Sequence, residues 1–380
     1  MPISLFAVAT FLGIGGAPAQ AVPDSAELSP ALAAAIVRDL GISPAQFLDR
    51  ADRAQQLSAF ANNARDHFPA AFADVWLDDS GRPVVAVRPG AQETGLRDAA
   101  RAAGFIATIT TDTRPAKQTR PQSISDTFGV PSRSPVAVGD RPIMGGDRYI
   151  VRKRSMFEFC SMGFNATDAQ GNAVNITAGH CEINGPAEAS AAESTLLMHV
   201  HAGADQPAYP FEGSTDQPLA ETLLDTLTQR PIENVAVLAK PVDTSHDYAI
   251  VRPAHTVTHR FENNLIGVAG AAAVSIDGIA DPIIGAPVCK SGATTGFTCG
   301  TISAADQKMD VEVIQNHNLF ATTLFGLPGD SGGPIFSGTK AVGVLTGASI
   351  ATSPSESSLV YGLPVRIVLD ENPGLRIRTQ

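Results

Sequence analysis

The stretch Gly329-Asp330-Ser331-Gly332-Gly333-Pro334 decides how the rest of the chain is read. Three glycines around one serine favour a tight turn that aims the hydroxyl outward and leaves the neighbouring backbone N–H groups unhindered. A serine hydroxyl is too weakly acidic to attack unaided, so a base must take its proton and a third group must orient the base. The same residues satisfy G-x-S-x-G, the nucleophile elbow of α/β-hydrolases, in which the histidine follows the serine. All eight histidines precede Ser331, and His317 is the last of them. That order rules out the elbow, and the base has to come from upstream.

Two upstream segments supply the missing groups. Thr177-Ala178-Gly179-His180-Cys181 sets a histidine at the end of an apolar strand, and His246-Asp247-Tyr248-Ala249-Ile250-Val251 sets an acid at the start of a run whose apolar residues would bury it. The order His180, Asp247, Ser331 is that of the chymotrypsin-type triad. Singly, the turn could be a loop, His180 an interior histidine and Asp247 a strand cap; the ordered set with its flanks favours catalysis.

From about Ile143 onward the chain resembles the bacterial chymotrypsin-like serine proteases of the streptogrisin and α-lytic protease group. Ile176–Cys181, Asp247–Arg252, Val288–Gly296 and Gly329–Pro334 carry the resemblance. It implies an all-β catalytic domain over 143–380, built as two packed six-stranded antiparallel barrels. His180 would then act as general base and general acid, Asp247 would hold its tautomer, Ser331 would form the acyl-enzyme, and the Gly329 and Ser331 amides would make the oxyanion hole. Thr346 falls where the family has a serine bonded to the triad acid. Asp330 should be buried against a cation, which in the secreted bacterial enzymes is an arginine after the matching cysteine; Lys290 stands here, a point charge in place of a fork. The implied activity is that of a monomeric secreted serine endopeptidase acting on protein or peptide substrates, with no cofactor and no metal. A catalytically inactive secreted binding protein on the same fold, or an esterase using the same triad, are the alternatives.

Two features depart from the family. The spacing from His180 to Asp247 is long, with an insertion within Glu188–Glu233, and no cysteine after Cys299 braces the specificity pocket. Trypsin-like members carry an aspartate six residues before the nucleophile, where Phe325 stands. Ala321–Pro328 and Thr346-Gly347-Ala348 hold no charge, so the pocket is expected to prefer an apolar or aromatic side chain.

The rest of the chain fits an exported proenzyme. It has 380 residues, 44% of them apolar, enough for two or three folded units. A net charge of −11 offers no basic excess to displace counterions from nucleic acid. Met1–Ala21 has an apolar run from Leu5 to Ile14 and an A-x-A site at Ala19-Gln20-Ala21, the form of a signal peptide, although no Lys or Arg precedes the run. No other segment reaches the ~18 unbroken apolar residues of a membrane span, so the processed protein is expected outside the cell and off the membrane. Residues 22–142 lack cysteine. Ser29-Pro30 and Ser43-Pro44 predict two helix starts, the first helix closing at Gly41. Val75–Val87 reads as a hairpin about Asp78–Gly81, and Leu96–Ala103 as a third helix. Thr110–Pro142 is a polar, proline-dotted linker. This unit looks like the small α+β pro-region of the group, a folding aid and inhibitor, with a cut expected near Ile143–Gly146 or earlier in the linker.

Beyond Ile143, short β-branched runs at Val174–Ala178, Val235–Leu238, Tyr248–Val251, Val311–Ile314 and Ala341–Leu345 predict strands, and Ile367–Leu369 a closing helix or strand. Cys160, Cys181, Cys289 and Cys299 allow three pairings, of which the local ones, Cys160 with Cys181 and Cys289 with Cys299, are the economical choice. The absence of C-x-x-C argues against zinc, as does the lack of an acidic or cysteine neighbour for His199-x-His201. Asn165-Ala166-Thr167 and Asn175-Ile176-Thr177 match the glycosylation pattern, the second by accident if it lies in a strand.

Overall fold

The structure, a computed structural model, describes residues 28–111, 141–153, 156–181, 195–199, 232–238, 245–268, 272–311, 314–349 and 358–380. The expected leader, most of the linker and most of the insertion lie outside these ranges.

Local chemistry starts the helices where the sequence places them. The Ser29 hydroxyl accepts from Leu32 N at the head of α1 (Pro30–Leu40), which closes at Gly41 in the left-handed region. Ser43 and Gln46 form a reciprocal capping box at the head of α2 (Pro44–His67). Strands β1 (Phe72–Leu77) and β2 (Pro83–Val87) form the hairpin, whose turn is held by the Asp78 carboxylate accepting from Ser80 N and Arg82 N. Helix α3 (Glu93–Ala102) leads to β3 (Ile106–Ile109), which pairs parallel with β2. The result is a small α+β unit.

The β-rich region holds two large sheets. The first is built from β4 (Arg148–Lys153), β5 (Met156–Ser161), β6 (Phe164–Thr167), β7 (Ala173–Thr177), β8 (Thr195–His199), β9 (Ile232–Leu238) and β10 (Ala249–Pro253). A 3-10 helix, His255–Phe261, and a two-stranded pair, β11 (Leu265–Ile266) and β12 (Val274–Ser275), lead to the second sheet. That sheet comprises β13 (Gly278–Ile279), β14 (Pro287–Gly292), β15 (Gly296–Val311), β16 (Ile314–Thr322), β17 (Pro334–Ser337), β18 (Lys340–Ser349) and β19 (Leu359–Pro364). The chain ends in α4 (Val365–Asp370) and β20 (Arg376–Ile377), the latter adding to the edge of β6.

In the second sheet β14 to β19 form a closed ring of six, because β19 pairs with both β16 and β18. The first runs β20-β6-β7-β10-β9-β8-β4-β5, eight strands in line, with no pair closing it into the expected six-stranded barrel among the described residues. The returning C-terminus and the outlying β4–β5 hairpin lengthen it. Val311–Ile314 is also corrected: β15 ends and β16 begins there, and the two residues pair across a hairpin end. Apolar residues at both ends of a tight connection mimic one short strand. Ile367–Leu369 lies in a helix.

The small unit packs on the second sheet. Leu32, Ile36 and Phe47 share one buried cluster with Phe336 and the Cys289 and Cys299 side chains, and Leu57 and Leu96 share another with Val288, Ile302 and Ile335. Each such side chain contributes about 1.5–3 kcal/mol by leaving water. β15 pairs with β16 only from Ile302 onward, so the edge at Phe297–Cys299 needs other partners. Arg38 Nη2 donates to Phe297 O at 3.0 Å, and Asp39 Oδ2 accepts from Cys299 N at 2.8 Å. Among the described residues no single helix is long and apolar enough to cross a membrane.

Candidate active site

Register brings the base and the acid together. β10 pairs antiparallel with β7, Ala249 opposite Thr177, so the residues just before β10 meet those just after β7. The disulfide Cys160–Cys181 ties the loop after β7 to β5. Asp247, fully buried, accepts at Oδ1 from His180 N at 2.7 Å, and its Oδ2 lies 2.8 Å from His180 Nδ1. A carboxylate can only accept, so Nδ1 carries a proton, and in the neutral ring Nε2 is then the atom with the lone pair. The Thr346 hydroxyl donates to the same Oδ2, a third donor to one carboxylate. On the other side of the chain, His246 bonds Glu371 at 2.7 Å and lies against the tilted ring of His317, centroids 4.4 Å apart.

The serine turn is pressed against the end of β7. Gly332 sits at φ +84°, and a Cβ there would lie 2.1 Å from Thr177 Oγ1 and 2.4 Å from Ser161 O, so only glycine lets the turn approach. Ser331 O accepts from Ser161 N at 2.8 Å, and the serine itself is part-exposed. Gly329, at φ +99°, rests on Thr294, whose hydroxyl donates to Pro328 O at 2.7 Å. Asp330 O accepts from Gly333 N at 2.9 Å. Both peptide planes are thus held by their carbonyl ends, which turns the Gly329 and Ser331 N–H groups the opposite way. Among the described residues neither amide donates to an internal acceptor. Two fixed, unspent donors beside a hydroxyl suit a developing oxyanion.

Asp330 lies beneath this turn, fully buried. Its carboxylate accepts from Thr294 N, Thr295 N and Leu327 N at 2.9, 2.9 and 3.0 Å and from the Thr295 hydroxyl. Lys290 Nζ stands 3.3 Å from Oδ2 and also donates to Thr295 Oγ1 and Gly296 O. Burial pulls the Lys290 ammonium below its ordinary pKa, and the Asp330 charge opposes that pull. Lys290 leaves β14 beside the Cys289–Cys299 disulfide, so the β14–β15 hairpin supplies the cation and most of the donors to Asp330, with Leu327 N the one from outside it.

Of the other expected residues, Thr346, Gly347 and Ala348 lie on β18, whose pairing with β17 ends at Val344 while β19 covers the opposite edge to Ser349. One edge of Thr346–Ser349 is therefore open among the described residues. Phe325 O accepts from the Thr298 hydroxyl. Asn165 and Asn175 are buried and bonded to each other, which removes both glycosylation matches. Cys160, His180 and Cys181 lie close enough for a metal, but both sulfurs are spent in the disulfide and offer no thiolate. His201 is outside the described residues.

Sequence reasoning missed Ser161, Thr294, Thr295 and Asn316. Ser161 Oγ donates to Gly329 O and accepts from Ala293 N, and Asn316 contacts both Asp247 and Thr346. For Asn316 a signal existed: it alternates with exposed Gln315 in a strand and so points inward.

No family model matches the chain. It is 28% identical over 238 residues to Streptogrisin-C of Streptomyces griseus, covering 63% of this chain and 41% of that protein. To Glutamyl endopeptidase 2 of the same organism it is 26% identical over 206 residues, 53% of this chain and 84% of the relative. Among solved structures, Nocardiopsis protease is similar at 28% identity and a TM-score of 0.45, covering 63% of this chain and 100% of that one. The chain spans less than half the length of Streptogrisin-C.

Proposed function

We propose that this chain, a relative of the chymotrypsin-like serine proteases of bacteria, is a serine endopeptidase made as a secreted proenzyme and active as a monomer. In this reading His180 Nε2 takes the Ser331 proton as the hydroxyl attacks the peptide carbonyl. Asp247 stabilises the imidazolium that results, and the Gly329 and Ser331 amides receive the oxyanion. His180 then protonates the leaving amine, and water repeats the sequence on the acyl-enzyme. The open edge of Thr346–Ser349 suits an extended substrate strand laid beside it. The closed ring β14–β19 supports reading the second sheet as one barrel of the chymotrypsin-like pair.

The observation that carries the reading is the Asp247 carboxylate bonded to both the backbone and Nδ1 of His180, with the serine turn packed on the same strand end. Labelling by a fluorophosphonate, lost in Ser331→Ala together with casein clearing, tests it. A chain that neither labels nor clears casein would return the protein to the class of inactive binding folds.

Residues 28–111 act in this reading as folding aid and inhibitor, supported by their joint core with the second sheet. The cut belongs upstream of Arg141, not at Ile143–Gly146. Ile143, Gly145 and Gly146 are already buried in the uncut chain, their amides bonded to Arg260 O, Leu265 O and Met162 O. N-terminal sequencing of secreted material checks this.

The side chain before the cleaved bond is apolar or aromatic. Ala321–Pro328 and Thr346–Ala348 are uncharged. A glutamyl preference, as one relative's name records, needs a cation that these segments lack.

A further inference from the structure

We propose that Asn316 is a positioning residue that dictates which way the Thr346 hydroxyl points, and thereby keeps Asp247 an acceptor for the imidazole. The inference rests on the triad reading above. Asn316 is 1% exposed, on β16, and makes two bonds. Its Oδ1 lies 3.1 Å from Asp247 N, and its Nδ2 lies 2.9 Å from Thr346 Oγ1. A backbone N–H can only donate, so the amide oxygen must face it and the NH2 must face the threonine. Thr346 Oγ1 therefore accepts a hydrogen bond from Asn316, and its own hydroxyl hydrogen turns to the remaining acceptor, Asp247 Oδ2. The direction of every bond in the relay is fixed by one peptide N–H that cannot reverse.

Asn316 touches neither base nor nucleophile. It acts through Thr346 and through the backbone of Asp247, from β16, whereas Thr346 comes from β18 and Asp247 from the head of β10. One side chain thus registers both large sheets at the acid. The ionisable groups around Asp247 are His180 and, beyond its own neighbour His246, Glu371 and His317. These are present in wild type and variants alike, so pH profiles are compared as differences.

Asn316→Asp keeps the shape and the acceptor for Asp247 N but replaces the donor to Thr346 with an oxygen. The Thr346 proton then turns to residue 316, Asp247 loses a donor, and a second carboxylate faces the imidazolium. Per fluorophosphonate-titrated Ser331, kcat on a chromogenic peptide should fall about tenfold or more with KM within about twofold, and the acid limb of kcat/KM should move to higher pH. In a Thr346→Val background, which removes the hydroxyl that Asn316 steers, the same change should cost less than about threefold. Should Asn316→Asp yield no titratable enzyme, Asn316→Ala removes the donor without adding charge and carries the same kcat and cycle readings. Titratable variants with wild-type kcat, or losses that multiply independently of Thr346, overturn the proposal. Wild type that neither labels nor turns over overturns the triad reading instead.

Discussion

Lys290→Met isolates what the buried cation does for the oxyanion turn. Methionine matches the lysine stem in volume, so the change removes charge more than packing. Asp330 would keep Thr294 N, Thr295 N, Leu327 N and the Thr295 hydroxyl, four neutral donors, and lose its only described counter-charge at 3.3 Å. Breaking a buried pair from one side costs about 3–5 kcal/mol, and the surviving donors place this case near the lower figure. The same loss bears on catalysis, because the Asp330–Ser331 peptide carries one of the two unspent amides. Displacing one oxyanion donor lowers kcat by roughly 10²–10³. Denaturant unfolding gives the first quantity and burst-titrated kcat the second. Wild-type unfolding midpoint and turnover in Lys290→Met at neutral pH would refute the reasoning, since the pair would then be supporting nothing.

Burial pushes the Asp147 carboxyl up to about 6, against the pull of Arg141. The native state therefore binds more protons than the unfolded one between about pH 4 and 6 and loses up to about 3 kcal/mol across that window as pH rises. Asp147→Asn, which can still accept from Met144 N, should flatten that slope in thermal melts taken from pH 4 to 7. Replacing Cys160 and Cys181 together by alanine should cost about 3 kcal/mol, for a bridge spanning 21 residues, and appear as a lower melting temperature. Asp39→Ala leaves Cys299 N without its acceptor, a loss of about 1–3 kcal/mol from docking, and should reduce the yield of titratable secreted enzyme relative to wild type. A panel of chromogenic peptides should favour Phe, Leu or Tyr before the cleaved bond, and clear preference for Arg or Glu would overturn the neutral-pocket reading.

Local rules were legible, and non-local pairings only where a motif or the family resemblance named both partners. Ser29, Ser43 and Gly41 announced helix ends because capping acts within four residues, and the structure has those ends. Asp330 with Lys290 could be expected because a charge next to a nucleophile must be neutralised once buried, and the family resemblance supplied the partner. Asp147 shows the opposite case. Nothing in the sequence singled it out, yet topology closes over it and leaves it 1% exposed. Ser161 and Gly329 lie 168 residues apart, and nothing in either segment names the other. The ends of α1 were visible, but its partner on β15 was not, since a strand edge is recognised by what it lacks after folding. Val311–Ile314 misled because apolar residues flanking a hairpin end look like a strand of their own.

The hairpin β14–β15 joins these threads. Its inner side supplies Lys290, Thr294 and Thr295, which hold Asp330 and the Pro328–Gly329 peptide, while its outer edge receives Arg38, Asp39 and the apolar face of α1. Its neighbours β16 and β17 arrive later in the chain, β17 beginning 42 residues beyond β14, so during folding the hairpin must wait for contacts of high sequence separation. An isolated hairpin is marginal in water. Docked α1 satisfies the open Phe297 and Cys299 groups and covers the apolar side before β17 arrives. In this reading, residues 28–111 stabilise the element that holds Asp330 and the Pro328–Gly329 peptide beneath the oxyanion turn. Their loss during folding should therefore deplete correctly formed active sites far more than it changes the stability of sites already formed.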